Sequence, residues 1–348
     1  MITLNKLPKP EDLKKACLTL DEKLINQDHI NAMLRIFPPP DVIQGLIEEA
    51  AHTPEDEKWD KGEEYFLQVI DFKSLRQRLV VWQFKLDFPE KRDIVAKVQI
   101  AYENAFQELR SNSWLKKIFG YILAFGNIMN GGTARGQADG FYLEALSKVT
   151  TTKDINNRTM MQIICERLKL EDEEFLNVKN GFKNVYFVAA YSLKDEDNKL
   201  KEILDNFNKA KGNFDQVEKI LAGAPYDDYC TQMKAFVTSA QAEIKQLEDR
   251  CANIKKTFAE SCEYYLIDKG DEKASNSMEF FKFFTGFVDS IIKSMPKEEK
   301  KKKEAPAAAG GAKKFSDGPA SGGAGGPGAG LKNNLMAELK MKQQADQK

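Results

Sequence analysis

The sequence has 348 residues, 42% hydrophobic and 30% charged, with 52 basic side chains against 53 acidic ones. A mean hydropathy of −0.50 and the lack of an apolar run near ~18 residues argue against a spanning helix, and the start Met1-Ile2-Thr3-Leu4-Asn5-Lys6 is unlike a secretory leader. Five scattered cysteines (Cys17, Cys165, Cys230, Cys251, Cys262) without a CxxC pair fit a reducing compartment, and two histidines, His29 and His52, leave little for imidazole chemistry. The first 295 residues read almost wholly as helix. Leu18, Asp21 and Leu24 share a helical pattern that breaks before Phe37-Pro38-Pro39-Pro40, and a new helix follows with Asp41, Glu48 and Glu49. A third segment is expected from about Lys61 through Phe66, Ile70, Phe72, Leu75, Leu79 and Trp82, and another over about Ile94 to Leu109. Trp114, Ile118, Ile122, Phe125 and Met129 lie at helical spacing, while Leu115, Phe119 and Leu123 fill a neighbouring face. That helix is apolar over much of its circumference and is expected to be buried. No stretch alternates strictly between hairpin turns, so the fold class is all-α.

The most regular pattern comes late. Leu200, Ile203, Phe207, Ala210, Phe214, Val217 and Leu221 follow a 3-4 spacing, Gly223-Ala224-Pro225 interrupts, and Asp227 and Asp228 offer carboxylates to a new helix start. Met233, Val237, Ala240, Ile244, Leu247, Cys251, Ile254 and Phe258 then resume the spacing. Two such repeats joined by a short turn predict a long antiparallel coiled-coil hairpin over about 195–262, within an elongated module. From Pro296 onward the composition changes: eleven lysines stand against six carboxylates, leaving 41 bases and 47 acids in the body. Residues 295–330 read as a disordered Lys/Gly/Ala/Pro-rich linker. Residues 331–348, with Leu331, Leu335, Met336 and Leu339, read as a short amphipathic tail helix, either solvated or docking a regulatory partner.

Few sites survive inspection. The glycine-rich run Gly131 to Gly140 lacks Gly-Lys-Ser/Thr and follows a helix rather than a strand, so it is no phosphate loop. No HExxH, zinc-spaced Cys/His set or GxSxG occurs, and no feature supports an enzyme or a cofactor. Phe280, Phe281, Phe283, Phe284 and Phe287 read as core rather than as a stacking platform. An acidic body argues against nucleic acid as a partner. The sequon Asn157-Arg158-Thr159 carries no meaning without secretion.

Gly126-Asn127-Ile128-Met129-Asn130, followed by Gly131-Gly132, Ala138, Gly140-Phe141, Leu143 and Thr152-Lys153, resembles the formin homology 2 domain, the actin-assembly module of formins. Its GNxMN motif is matched by Gly126, Asn127, Met129 and Asn130. Asp71-Phe72 with Arg78-Leu79 is similar to its "DF…RL" helix, and the heptad hairpin and the Glu263–Val288 block fall where its coiled coil and terminal helix are expected. The resemblance covers about residues 8–294 of a formin homology 2-like helical domain spanning 1–294.

The family resemblance implies a cytoplasmic protein of the actin cytoskeleton that binds actin monomers and filament barbed ends, nucleating and elongating filaments. It implies a post surface at Gly126, Asn127, Met129, Asn130, Gly131, Gly140 and Phe141 that receives the lasso of another chain. It also implies an actin contact at Lys153, beside a plain solvated-surface reading, and a second at Arg78, beside an internal ion pair. The family's Trp-bearing lasso, linker, knob isoleucine and proline-rich region are expected to be missing before Leu13. A coiled-coil scaffold, or a fragment that caps or inhibits actin assembly, is the alternative expectation.

Overall fold

The computed structural model describes residues 7–54, 58–221 and 223–296. The expected linker beyond Pro296 and the expected tail helix 331–348 lie outside the described residues. The helices in chain order are α1 (Pro10–Thr19), α2 (Gln27–Ile36), α3 (Pro40–His52), α4 (Lys61–Val69), α5 (Leu75–Ser111), α6 (Ser113–Met129), α7 (Ala145–Val149) and α8 (Met160–Glu171). A 3-10 segment, Glu173–Phe182, leads into α9 (Lys183–Val188), α10 (Leu193–Leu221), α11 (Asp228–Tyr264), α12 (Glu272–Ser275) and α13 (Ser277–Ser294). Among the described residues the extended pairing is a single isolated bridge, Lys153 to Thr159. The chain is all-α.

Local chemistry sets the helix ends, and it corrects three expectations. The pattern expected to run unbroken to Phe37 is two helices: Leu20 turns the chain with a left-handed φ of +56°, and the Asn26 side chain caps α2 by accepting from the His29 amide at 3.0 Å. The helix expected over 61–82 ends at Val69, and the chain restarts at Leu75. The pause expected before Ile94 is absent, because α5 runs straight through Pro89. A proline inside a helix costs about 3 kcal/mol. Phe84, Phe88 and Val95, all buried around it, supply the packing that offsets this cost.

Most heptad residues of α10 and α11 bury as expected: Leu200, Ile203, Phe207, Ala210, Phe214 and Val217 face inward, as do Met233, Val237, Ala240, Ile244, Leu247, Cys251 and Ile254, while the last residue of each run, Leu221 and Phe258, is half-buried. The seam is not closed by these two arms alone. Helix α5 lies along both and packs most extensively on α10, with the Phe84 ring tilted against Phe207 and against Phe236, each 5.9 Å away. The hairpin is therefore two thirds of a three-helix arrangement.

Two hydrophobic cores result. One gathers α1, α2, Leu75 to Val95 of α5, α10 and Tyr229 to Cys251 of α11. The other gathers Val98 to Leu109 of α5, α6, α8, α9, Ile254 to Cys262 of α11 and α13. Phe280, Phe281, Phe284 and Phe287 sit inside the second core, with Phe283 at its margin. All five cysteines are free and buried.

Candidate functional site

Helix α6 starts on Asn112, whose side chain accepts from the Leu115 amide at 3.0 Å. This helix, apolar over much of its circumference, is expected to be buried, and the structure corrects this for its C-terminal end. Only Leu115, Ile118 and Ile122 are buried, while Ile128 is 76% and Met129 59% exposed. The uncovered face coincides with the GNxMN residues.

The turn that follows is drawn back onto the helix by Asn127. Its side-chain amide donates to the Ala138 carbonyl at 2.9 Å and its side-chain oxygen accepts from the Ala138 amide at 2.8 Å. The Asn130 carbonyl accepts from the Thr133 amide at 3.1 Å and from its hydroxyl at 2.7 Å, closing the first bend. Two glycines make this course possible. Gly132 has φ +77°, and a Cβ on Gly136 would stand 2.7 Å from the Asn130 carbonyl oxygen. These are structural demands on the turn, and the glycine run is explained without any phosphate.

Gly126 and Gly140 differ from those two, since a Cβ on either would meet nothing within 4 Å. Both border an open groove of about 350 Å³ whose walls include Ile122, Leu123, Asn127, Met129, Asn130 and Phe141. A second hollow of about 450 Å³ shares Leu123, Gly140 and Phe141 with the first and extends to Phe119, Tyr264 and Leu266. Phe141 stands between them, held edge-on to Phe119 at 5.7 Å. The structure thus brings Gly126, Asn127, Met129, Asn130, Gly140 and Phe141 to one groove. Gly131 lies beside it, exposed, with its amide on the Ile128 carbonyl at 3.2 Å.

Sequence reasoning missed most of the far wall, which is made by Ala145, Lys148, Val149 and Met160 beside the motif residue Thr152, with Arg135 at the rim. Lys148 and Arg135 contribute the groove's charges, and no carboxylate lines it. The only signal in the sequence is the apolar run Leu143, Leu146 and Val149, which anchors α7 and so aims Lys148 outward.

Lys153 lies just past this wall. It is exposed and has no ion-pair partner among the described residues. Its turn is held by the Met160 amide on the Thr152 carbonyl at 3.0 Å and by the Asp154 amide on the Arg158 carbonyl at 2.8 Å. The Asp154 carboxyl sits below its ordinary 3.8, chiefly because it accepts from the Arg158 amide.

Arg78 is elsewhere, and a surface contact is not open to it. It is 1% exposed, and its guanidinium pairs with Asp227 at 2.6 Å, donates to the Cys17 carbonyl at 2.8 Å and donates to Ser74 Oγ at 3.0 Å. It also lies over the rings of Tyr229, at 4.8 Å, and Phe72, at 5.2 Å. The internal ion pair is what forms, and the expected actin contact at Arg78 is withdrawn. Burial raises the Asp227 carboxyl, but the hydrogen bonds from Arg78 and the Cys230 amide, with the Arg78 charge, outweigh it and leave it below 3.8. Burial pushes the neighbouring Cys17 thiol up to about 12 against the opposing Arg78 charge.

Comparison with known proteins agrees with the motif. The family model for the Formin Homology 2 Domain matches residues 1–291. The chain is similar to Formin-G of Dictyostelium discoideum, 29% identical over 286 residues that make 82% of this chain and 26% of that protein. It is similar to Formin-like protein 12 of Oryza sativa subsp. japonica, 28% identical over 272 residues, or 76% of this chain and 16% of the relative. Formin-like protein 14 of Arabidopsis thaliana is 27% identical over 301 residues, 84% of this chain and 23% of the relative. The chain therefore spans about a quarter or less of the length of these relatives. The match along 1–291, the all-helical architecture and the GNxMN turn agree: this chain belongs to the formin homology 2 domain family.

Proposed function

We propose that this chain is an actin-binding module of the formin type that works in filament assembly, nucleating filaments and associating with their barbed ends. The observation that carries the reading is the uncovered α6 face. An apolar helix leaves its motif-bearing end in solvent, beside glycines with open space above them, where folding alone would favour coverage. In this reading the groove at Gly126, Asn127, Met129, Asn130, Gly131, Gly140 and Phe141 receives a lasso-like segment from another chain. Lys153, exposed and unpaired among the described residues, touches actin. Residues 331–348 are assigned to a regulatory partner, and the protein works on the cytoplasmic actin cytoskeleton.

Fluorescent-actin assembly tests this. A shortened lag identifies nucleation, and slowed growth from preformed seeds with no shortened lag identifies capping. A chain that changes neither overturns the proposal. Lys153→Asp is expected to abolish the effect while far-UV circular dichroism stays unchanged; an unaltered effect would remove Lys153 from the contact.

A further inference from the structure

We infer that Ile155 forms, with Lys153, a two-residue contact finger whose apolar tip seats in a depression on the actin subunit that Lys153 touches; this rests on the actin reading above. Ile155 is 100% exposed. A lone exposed apolar side chain is ordinary on a protein surface, and what sets this one apart is how it is held. The Asp154 carboxylate accepts from the Asn156 amide at 2.8 Å and the Arg158 amide at 2.9 Å, and Asn157 closes the bend with φ +63°. The Arg158 guanidinium then ties the turn to the side, bonding Asp154 at 3.0 Å and Glu166 of α8 at 3.1 Å.

A bend braced in this way leaves Ile155 little freedom to fold back onto the protein, so little ordering is needed when a partner covers it. Lys153 enters the bend and Ile155 stands on it two residues later, so both exposed side chains share one short braced turn. Arg158 is committed to Asp154 and Glu166, so Lys153 is the cation of the turn without an ion pair among the described residues. The matching surface on actin is an apolar depression with a carboxylate at its edge.

The test measures the affinity of the full chain for actin monomers and for filaments, with Ile155→Asp, Ile155→Leu and Lys153→Asp compared with the unaltered protein. Ile155→Asp is expected to bind roughly ten- to a hundredfold more weakly, the loss that follows from an uncovered isoleucine. Ile155→Leu should stay within about twofold, since it keeps the apolar bulk. Ile155 makes no internal contact, so the melting temperature of all three should match the parent. If Ile155→Asp binds like the parent while Lys153→Asp does not, the apolar tip is wrong and the actin reading stands. If the unaltered chain binds neither monomer nor filament, both fall together.

Discussion

Arg78 and Lys153 are both cations that the family pattern offers as actin contacts, and the fold treats them in opposite ways. Arg78 sits where α1, α5 and the start of α11 meet, with its donors spent on Asp227, Cys17 and Ser74 and aromatic rings on two sides. Lys153 stands on a braced turn in water, beside a groove whose apolar walls are left open. A buried charge is held in place by the cost of leaving any partner behind. An exposed charge contributes almost nothing to folding and is free to work on another molecule. The two regions separate what keeps the chain folded from what it presents.

That separation can be broken, beginning with the largest effect. Arg78→Met leaves Asp227 and the Cys17 carbonyl without their partner, and an equilibrium denaturation curve should show a loss of about 3–5 kcal/mol. Acid titration sharpens the same point. Because the Asp227 carboxyl is depressed when folded, its stabilisation is complete above 3.8 and is lost as pH falls through the lower folded value. Asp227→Asn should therefore be weaker at neutral pH and show a shallower decline below pH 3.8; an unchanged acid limb would remove the pair from the stability of this corner.

At the groove the effects are smaller and local. Asn127→Ala removes both bonds to Ala138 and should cost ~1–2 kcal/mol, seen as faster amide exchange over residues 131–138 with the melting of the cores unchanged. Gly126→Leu should go the other way, stabilising α6 by up to ~1 kcal/mol through helix propensity and filling the groove, so that a lasso-like partner is lost while stability rises. A drop in melting temperature for Gly126→Leu would mean the space is not free. Lys153→Ala should change stability by less than ~0.5 kcal/mol, read by the same denaturation curve.

The heptads of α10 and α11 were legible in the sequence residue by residue, because an apolar spacing of three and four names the face that must be buried. It cannot name what buries it, and the long neighbour α5 was read as two shorter segments. Pro89 falls between those two segments, and the buried Phe84 and Phe88 around it hold the helix through the proline. The GNxMN turn was legible as a motif, yet the apolar residues over much of α6 implied a buried helix. Composition reports how much apolar surface exists and is silent on how much is left for a partner. Arg78 was ambiguous for a related reason: its carboxylate partner lies at the far end of the heptad hairpin, and nothing near Arg78 in the chain points to Asp227. Lys148 and Arg135 went unnoticed because their place on the groove depends on how α7 folds back past the glycine turn.

Helices α5 and α11 have a further consequence. Each passes from one core into the other without a break, and at the crossing the Gln99 side chain donates to the Leu247 carbonyl at 3.0 Å, pinning one to the other. A joint between the cores would have to bend two continuous helices at once and rupture their backbone ladders. The pair behaves as a braced beam. The two cores therefore share their long helices instead of being joined by a loop.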